Sequence, residues 1–582
     1  MTNRLKDNRA RRQDPAGEER WLWALGAVAV IMVIWGTLWG SGRLLGSTKA
    51  SPGAYLAELT RGLTRIGPGQ AALTLLVLTG ISAGVVVGIR ALRSLTAGRT
   101  RVDGKAASMA HEKDLISMLP AGARADAERL GATRASDGVP VGKLIPGGAE
   151  LRSSWEWVQV WIMGPRAGKT SCVCVPQLLE TAGPALATTN KRDLVDQTRG
   201  PRALTGTVWV FDPQNIIGEE PSWWWNPLSY VTGIAQAEEM AALFAAASKD
   251  TDARTDAYFD TAATNYLACL LLAAATGDEP ITTVYRWASN PDDEDPALIL
   301  RMAGHSGPAT TLFAIIALSE RQRDGVIGTA AKMITWLTNP DLLPWITPST
   351  GGTEKDRPQF RPDQFVRSTQ TLYLVSMEGR GTARAIAAAL TVAVVRAGET
   401  YASHSPAGRL PVPLMVILDE AANVVRWPDL PDLYSHFGSR GIVISTFLQS
   451  WNQGVAAWGR DGMEKLWSAA NLRVIGAGIA QADFLTNTSR LIGDHDIIRH
   501  DTSTSGKSAG LFDSGRSTST RLQREAILEP AELASLPRGR AIMLSSGAPA
   551  ALVELVHWSQ TDHAEAIRAS ETYYSKLAAV QE

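Results

Sequence analysis

A short apolar strand that runs into a glycine-containing turn constrains the fold of this chain more than any other feature. Residues 155–163 alternate in the manner of a β-strand, and the turn that follows consists of Gly164, Pro165, Arg166, Ala167, Gly168, Lys169 and Thr170. Backbone N–H groups of such a turn, with the N-terminus of the next helix, bind phosphate oxygens. Lys169 is expected to contact the β- and γ-phosphates, and the Thr170 hydroxyl to ligate Mg²⁺. The segment therefore predicts a P-loop that binds ATP and Mg²⁺.

The turn departs from the strict Walker A pattern at its first position. Met163 stands where the pattern has glycine, and Gly164 follows one residue later. A strand-to-helix turn with a solvated lysine is the alternative interpretation of Gly168, Lys169 and Thr170. A second motif elsewhere in the chain is therefore needed to favour the nucleotide site.

Such a motif lies far downstream, where an apolar strand over residues 414–418 ends in Asp419 and Glu420. Asp419 is expected to hold Mg²⁺ through water, and Glu420 to orient or deprotonate the attacking water. Taken alone, the two carboxylates also suit a helix-capping pair at the end of a strand. Together with the P-loop they form the Walker B partner of a nucleotide-hydrolysing site.

Two further residues flank the next apolar strand, residues 441–447. Gln449 follows this strand, where a polar group would lie beside the γ-phosphate and sense it, although a glutamine at a strand end is often only a turn residue. Arg440 precedes the strand and is a candidate arginine finger supplied across a subunit interface. A solvated surface arginine is the alternative for Arg440.

Two long uncharged runs near the N-terminus predict a membrane anchor. Residues 21–42 would span about 33 Å as a helix, which is enough to cross a bilayer, and a second span is expected over 68–89. Basic residues precede the first run and follow the second, so both flanks are predicted to be cytoplasmic. A signal peptide is the alternative for the first run, but a second apolar run and the missing Ala-x-Ala-like site argue against it.

The remaining organisation follows from alternating apolar strands and helical patterns. The net charge of −1 gives no general basic character, so contact with DNA would depend on local patches or an assembled pore. Strands near 184–190, 207–213 and 371–376, which alternate with helices, predict a parallel α/β sheet with crossover connections. Residues 540–545 and 551–556 are expected to form late strands. The Trp223–Trp225 run favours packing over base stacking, and residues 501–520 are expected to form a mobile loop.

The expected divisions are a cytoplasmic segment 1–20, an anchor 21–90, a linker 91–150, a nucleotide domain in two parts 151–232 and 351–560, an all-α insertion 233–350, and a C-terminal helix or tail 561–582.

The order of these motifs resembles that of conjugative coupling proteins, the DNA-transfer ATPases of type IV secretion systems. The resemblance rests on the two spans, the P-loop, the helical insertion and six further segments, which are Phe211–Pro213, Trp225–Leu228, Leu418–Glu420, Arg440–Ile442, Gln449–Ser450 and Leu528–Pro537. It implies a RecA-like P-loop NTPase domain of α/β class with an inserted all-α domain, preceded by two transmembrane helices.

The resemblance also implies a function. The chain would form a hexameric ring, multi-pass in the inner or plasma membrane with its bulk in the cytoplasm, and would hydrolyse ATP. Its cargo would be single-stranded DNA carried by a relaxase, or a secreted protein, delivered to the type IV secretion channel. Two alternatives remain, a double-stranded DNA translocase of the FtsK type and a nucleotide-binding receptor that recruits cargo but hydrolyses little.

Overall fold

Three helices form the described part of the N-terminal unit, Met1–Arg99: α1 (Pro15–Leu44), α2 (Pro52–Thr60) and α3 (Pro68–Thr96). The structure, a computed structural model, describes residues 15–48, 51–96, 100–132, 135–248, 257–349, 356–377, 382–504 and 516–581. Side chains in this unit are described for residues 30–48 and 51–84.

Polar side chains join the helices of this unit. Ser41 of α1 and Thr74 of α3 lie with their hydroxyl oxygens 2.6 Å apart. The Gln70 amide donates to the Leu38 carbonyl at 3.0 Å and to the Tyr55 hydroxyl at 2.6 Å. These bonds satisfy polar groups that the helix contacts bury.

The predicted spans over 21–42 and 68–89 fall within α1 and α3. Among the described residues, Ala383–Ser403 is the one helix with the length and apolarity of a span, and 72% of its most apolar 18-residue stretch is buried. In α3 the described apolar stretch, Pro68–Gly84, is shorter than a full span. The anchor of two spans therefore stays a prediction.

The larger unit, Thr100–Glu582, is built on an eleven-stranded mixed sheet with a separate two-stranded hairpin. The strands in chain order are β1 (Val139–Ile145), β2 (Glu150–Ser153), β3 (Gln159–Ile162), β4 (Ala185–Thr189), β5 (Val208–Phe211), β6 (Thr371–Val375), β7 (Leu414–Leu418), β8 (Ile442–Leu448), β9 (Leu472–Gly476), β10 (Asp494–Thr504), β11 (Arg516–Ala526), β12 (Arg540–Ser545) and β13 (Ala551–Glu554).

Seven strands of the sheet are parallel, in the order β9-β3-β8-β7-β4-β6-β5. Strands β3, β4, β6, β7 and β8 are buried along their whole length. This burial explains why their sequences are mostly apolar. Four antiparallel strands, β2-β1-β13-β12, extend the sheet beyond β9. The predicted parallel α/β sheet is thus confirmed at the centre of a wider mixed sheet.

Helices cover this sheet and form the predicted all-α insertion. They are α4 (Pro120–Arg129), α5 (Val175–Leu179), α6 (Asp193–Ala203), α7 (Ile234–Ser248), α8 (Ala257–Thr276), α9 (Ile281–Ser289), α10 (Asp295–Met302), α11 (Ser306–Ile316), α12 (Glu320–Met333), α13 (Leu343–Ile346), α14 (Pro362–Phe365), α15 (Thr382–Ser403), α16 (Ala421–Val424), α17 (Leu430–Ser439), α18 (Trp451–Ala469), α19 (Ala482–Ile492), α20 (Pro530–Ala534) and α21 (Ala564–Gln581).

The insertion consists of α7 to α13, which lie between β5 and β6 in the chain. Its centre is α8, where every residue from Leu267 to Ala274 is buried. Trp223 and Trp225, which precede the insertion, are 2% and 1% exposed. Trp223 packs edge-on against Trp345 and Trp209, so the preference for packing is confirmed at these two positions.

Two expectations are wrong. The predicted linker over 91–150 contains short helices from Arg101 onward and then β1, which pairs with β13 in the main sheet. Gly and Pro inside β1 obscure its alternation. The loop predicted over 501–520 is occupied at its ends by β10 and β11, which pair with each other in antiparallel register. Residues 505–515 lie outside the described residues.

Candidate active site

The turn after β3 has the form of a phosphate-binding loop, and it begins one residue later than the Walker A pattern suggests. The N–H of Met163 donates to the Leu448 carbonyl at 2.9 Å, so Met163 continues the sheet. Its side chain is buried against Gly476. A Cβ on Gly164 would lie 2.4 Å from the Gly478 carbonyl oxygen, so glycine is required there. Met163 therefore belongs to the strand, and Gly164 opens the loop.

The loop turns into a helix at its far end. Arg166 has φ 59° and Gly168 has φ +95°, both in the left-handed region. Helical structure begins at Thr170 with the wider turn Thr170–Cys174 and continues as α5. Lys169 and Thr170 thus lie at a helix N-terminus, where phosphate binding is favoured.

Lys169 reaches across the sheet edge to both predicted Walker B carboxylates. Its Nζ lies 3.2 Å from Asp419 Oδ1 and also contacts Glu420 Oε1. The lysine side chain is 15% exposed and the carboxylates are 4% and 3% exposed. Although burial opposes the charge of the ammonium, the two carboxylates raise the pKa of Lys169. The alternative of a solvated lysine is therefore wrong.

Asp419 and Thr170 supply oxygen atoms that fit Mg²⁺. Thr170 Oγ1 lies 3.4 Å from Asp419 Oδ2, so the two oxygens border the same space. Asp419 Oδ1 is buried without a hydrogen-bond partner among the described residues, although the Lys169 charge is close. Burial raises the pKa of Asp419 in spite of Lys169. The hydroxyl and carboxylate oxygens are the donors that Mg²⁺ prefers.

Glu420 stands at the position before α16 with φ 58° and ψ 43°, a left-handed conformation that is costly for a non-glycine residue. Its side chain makes no capping bond to that helix, so the capping alternative is wrong for Glu420. The carboxylate instead accepts from Gln449 Nε2 at 2.6 Å and from Gln453 and Asn423 at 3.4 Å. The carboxylate of Glu420 is therefore oriented by Gln449 at the end of β8, by Asn423 of α16 and by Gln453 of α18.

The structure brings together all but one of the side chains predicted for the site. The loop Gly164–Thr170, Asp419, Glu420 and Gln449 share the edge where β3, β7 and β8 end. Arg440 lies at the start of β8 instead, and its Nε is 3.7 Å from Glu399 Oε1. Seven residues of β8 separate the two edges by roughly 20 Å. Arg440 therefore does not reach the nucleotide site of its own chain.

Three residues of the site were not predicted from the sequence. Thr188 at the end of β4 donates to the Asp419 carbonyl at 2.8 Å, and Asn423 and Gln453 bond to Glu420. A usable signal existed for Gln453, because Ser450 and Gln453 have the spacing of a capping box. Thr188 and Asn423 carry no pattern that distinguishes them from ordinary strand and helix residues.

The comparisons with known proteins agree with this geometry. Residues 413–538 match the family model described as the TraM recognition site of TraD and TraG. This segment includes β7, β8 and the Walker B carboxylates. No curated protein sequence matches the chain significantly.

Solved structures share the fold. The unbound form of the bacterial conjugative coupling protein TrwBdeltaN70 matches with a TM-score of 0.53 at 15% identity, over 75% of this chain and 93% of that one. The plasmid coupling protein TrwB in complex with the GTP analogue GDPNP and with the ATP analogue ADPNP matches with a TM-score of 0.51 in each case, at 14% identity over 74% of this chain and 92% of those. The matched segment and the shared fold confirm the resemblance to type IV conjugative coupling proteins that the order of the motifs indicates.

Proposed function

We propose that this chain is a membrane-anchored ATPase that recruits DNA or protein cargo and helps to move it into a type IV secretion channel. The observation that carries the proposal is the convergence of Lys169, Thr170, Asp419, Glu420 and Gln449 at one edge of the sheet. These are the groups that phosphoryl transfer to water requires, and each comes from the end of a strand or from the loop after it.

Each side chain has a defined task in this proposal. The backbone of Gly164–Thr170 and the Lys169 ammonium bind the β- and γ-phosphates. Thr170 and Asp419 hold Mg²⁺, which neutralises charge on the phosphates when it is bound. Glu420 accepts a proton from the attacking water, and Gln449 contacts both Glu420 and the space where the γ-phosphate would lie.

The contacts of Lys169 suggest how nucleotide alters the site. Lys169 is bonded to Glu420 and lies 3.2 Å from Asp419. One ammonium group cannot hold its contacts with both carboxylates while it also binds the β- and γ-phosphates. Bound nucleotide would therefore draw Lys169 away from Glu420. Glu420 would then become available to water only when the phosphates are in place.

Membrane anchoring by α1 and α3 belongs to the same proposal. The helices are 30 and 29 residues long, which exceeds the roughly 20 residues needed to cross a bilayer. Large apolar side chains of α1 such as Ile31 and Met32, and of α3 such as Leu75 and Leu76, are 64–69% exposed. A lipid environment would cover such side chains.

Topology can be tested with reporters at the C-terminus. A reporter fused after Glu582 should be active only if it is one that works in the cytoplasm, because both basic flanks of the anchor are expected there. An active periplasmic-type reporter at this position would contradict the proposed topology.

The partners follow from the family model matched by residues 413–538. Its description names TraM recognition, so we infer that this segment docks a partner protein of the DNA-transfer complex. A ring of identical subunits, expected to be a hexamer, would surround the translocated strand.

ATP hydrolysis by the detergent-solubilised chain tests the proposal. Hydrolysis should occur, should be stimulated by single-stranded DNA, and should disappear in Lys169→Ala, which lacks the phosphate-binding ammonium. Stronger stimulation by double-stranded DNA would favour the FtsK-type translocase. Nucleotide binding without hydrolysis under all of these conditions would favour the receptor.

A further inference from the structure

Gln453, in the first turn of α18, contacts two residues of the site at once. Its Oε1 accepts from the backbone N–H of Gln449 at 2.7 Å, and its Nε2 points to Glu420 Oε2 at 3.4 Å. The Ser450 hydroxyl accepts from the Gln453 N–H at 3.1 Å and fixes the start of α18. Gln453 therefore links the end of β8 to the carboxylate that follows β7.

The orientation of the Gln453 amide follows from its partners. The Gln449 N–H can only donate, so it requires the oxygen of the amide. The NH₂ group must then face Glu420, which as a carboxylate can only accept. A reversed amide would place two donors together on one side and two acceptors together on the other.

The two oxygens of Glu420 are held from different directions. Lys169 and Gln449 bond to Oε1, whereas Gln453 and Asn423 bond to Oε2. When Lys169 binds phosphate, the bond from its ammonium is lost. The three amide donors remain to define where the carboxylate points.

We propose that Gln453 is a positioning residue for hydrolysis, which holds Glu420 and the backbone of Gln449 in a fixed relation while Lys169 is engaged with nucleotide. This inference rests on the proposed function, since it assigns Gln453 a task only if the site hydrolyses ATP. The competing interpretation is that Gln453 merely caps α18, in partnership with Ser450.

Gln453→Glu separates the two interpretations. A glutamate at this position still accepts from the Gln449 N–H and suits the N-terminus of a helix, so capping is kept or improved. Its second oxygen faces Glu420 with a negative charge in place of a donor. Asn452→Asp is the matched control, because Asn452 is exposed on the same turn and the added charge does not face Glu420.

The measurements are the kcat and KM for ATP, the Kd for a non-hydrolysable ATP analogue, and the thermal midpoint of the detergent-solubilised chain. Gln453→Glu should lower kcat by about tenfold or more, with the 10²–10⁴-fold that a positioned general base contributes as the upper limit. The analogue Kd should stay within about twofold, and the thermal midpoint should not fall. Asn452→Asp should behave like the unmodified chain.

A second comparison uses the Glu420→Gln background. Gln453→Glu should cause no further loss there, because the group through which Gln453 acts has been removed. A normal kcat for Gln453→Glu would overturn the inference in favour of capping alone. Parallel losses of analogue affinity and thermal midpoint would overturn it in favour of a folding role. Absence of hydrolysis in the unmodified chain would refute the proposed function itself, and this inference with it.

Discussion

The hydroxyl of Thr170 lies 3.4 Å from a carboxylate oxygen of Asp419, although 249 positions separate the two residues in the chain. Each residue comes from the end of a buried parallel strand or from the loop that follows it, and the sheet brings those ends together. If both oxygens hold Mg²⁺, their removal should alter the dependence of hydrolysis on magnesium more than the binding of the phosphates.

Thr170→Ala should raise the Mg²⁺ concentration needed for half-maximal hydrolysis by about 10–100-fold, the range found when groups that support a metal are removed. Thr170→Ser keeps the hydroxyl and is the control. A titration of activity with Mg²⁺ at saturating ATP measures the effect. Identical titrations for the alanine and serine variants would remove Thr170 from the set of Mg²⁺ ligands.

Glu420→Gln should bind nucleotide with nearly unchanged affinity but hydrolyse it about 10²–10⁴-fold more slowly. The amide keeps the volume of the side chain and loses the basic oxygen that accepts the proton. Equilibrium binding of ATP and its steady-state hydrolysis are the two measurements. Glu464→Gln, an exposed position on α18, controls for the loss of one negative charge. Undiminished hydrolysis in Glu420→Gln would show that another group activates the water.

Arg440→Ala tests whether neighbouring subunits complete each site. Arg440 is 40% exposed and lies at the edge of the sheet opposite the P-loop of its own chain. Any action on nucleotide would therefore be directed at an adjacent subunit. The variant should bind ATP normally and lose about 10³–10⁵-fold in turnover, the value of an arginine finger.

Co-assembly of Arg440→Ala with Lys169→Ala should restore part of the activity. One subunit then contributes an intact pocket and the other an intact arginine. Activity no higher than that of either variant alone would contradict an arginine supplied in trans. A normal rate for Arg440→Ala alone would identify Arg440 as a surface residue paired with Glu399.

Acid should weaken the larger unit partly through Asp103, whose carboxylate accepts from Arg540 at 2.9 and 3.1 Å. Burial opposes its ionisation, but the bonds from Arg540 and Thr100 hold the pKa of Asp103 below its ordinary value. The stabilisation is therefore present above the ordinary carboxyl pKa of about 3.9. It is lost as the pH falls through the lower pKa of the folded state.

Asp103→Asn should lower the free energy of unfolding at neutral pH by about 1.5–3 kcal/mol, the value of a hydrogen bond to a charged group. The difference from the unmodified chain should shrink below pH 4. Urea denaturation followed at several pH values checks both points. Asp363→Asn is the control, because its pair with Arg361 is exposed and such pairs contribute little. A difference that does not vary with pH would contradict a role for the ionised carboxylate.

The central strands and the helical insertion could be predicted from the sequence because burial on both sides makes such elements mostly apolar, as in β7 and β8. Their ends carry Asp419, Glu420 and Gln449, so the strand predictions located the site as well. Strand β1 was missed because Pro140 and Gly142 interrupt its pattern and its partner β13 lies at the other end of the chain.

The hairpin β10–β11 lacks the alternation of apolar residues that a core-facing strand requires, so its Ser/Thr/Gly-rich sequence predicts a loop. Its two strands pair only with each other. The location of Arg440 follows from the length of β8, whose seven residues carry the chain from the edge that holds Arg440 to the edge that holds Gln449.

The placement of β3 between β8 and β9 has a consequence for synthesis of the protein. The P-loop strand leaves the ribosome early, whereas both of its neighbours are made only after the whole helical insertion. The N–H groups of Met163 and Gly164 donate to the carbonyls of Leu448, the last residue of β8, and Ala477, the residue after β9. A growing chain can therefore contain the entire phosphate-binding sequence without being able to hold a nucleotide. The loop after β3 can therefore take its folded form only once translation has passed β9.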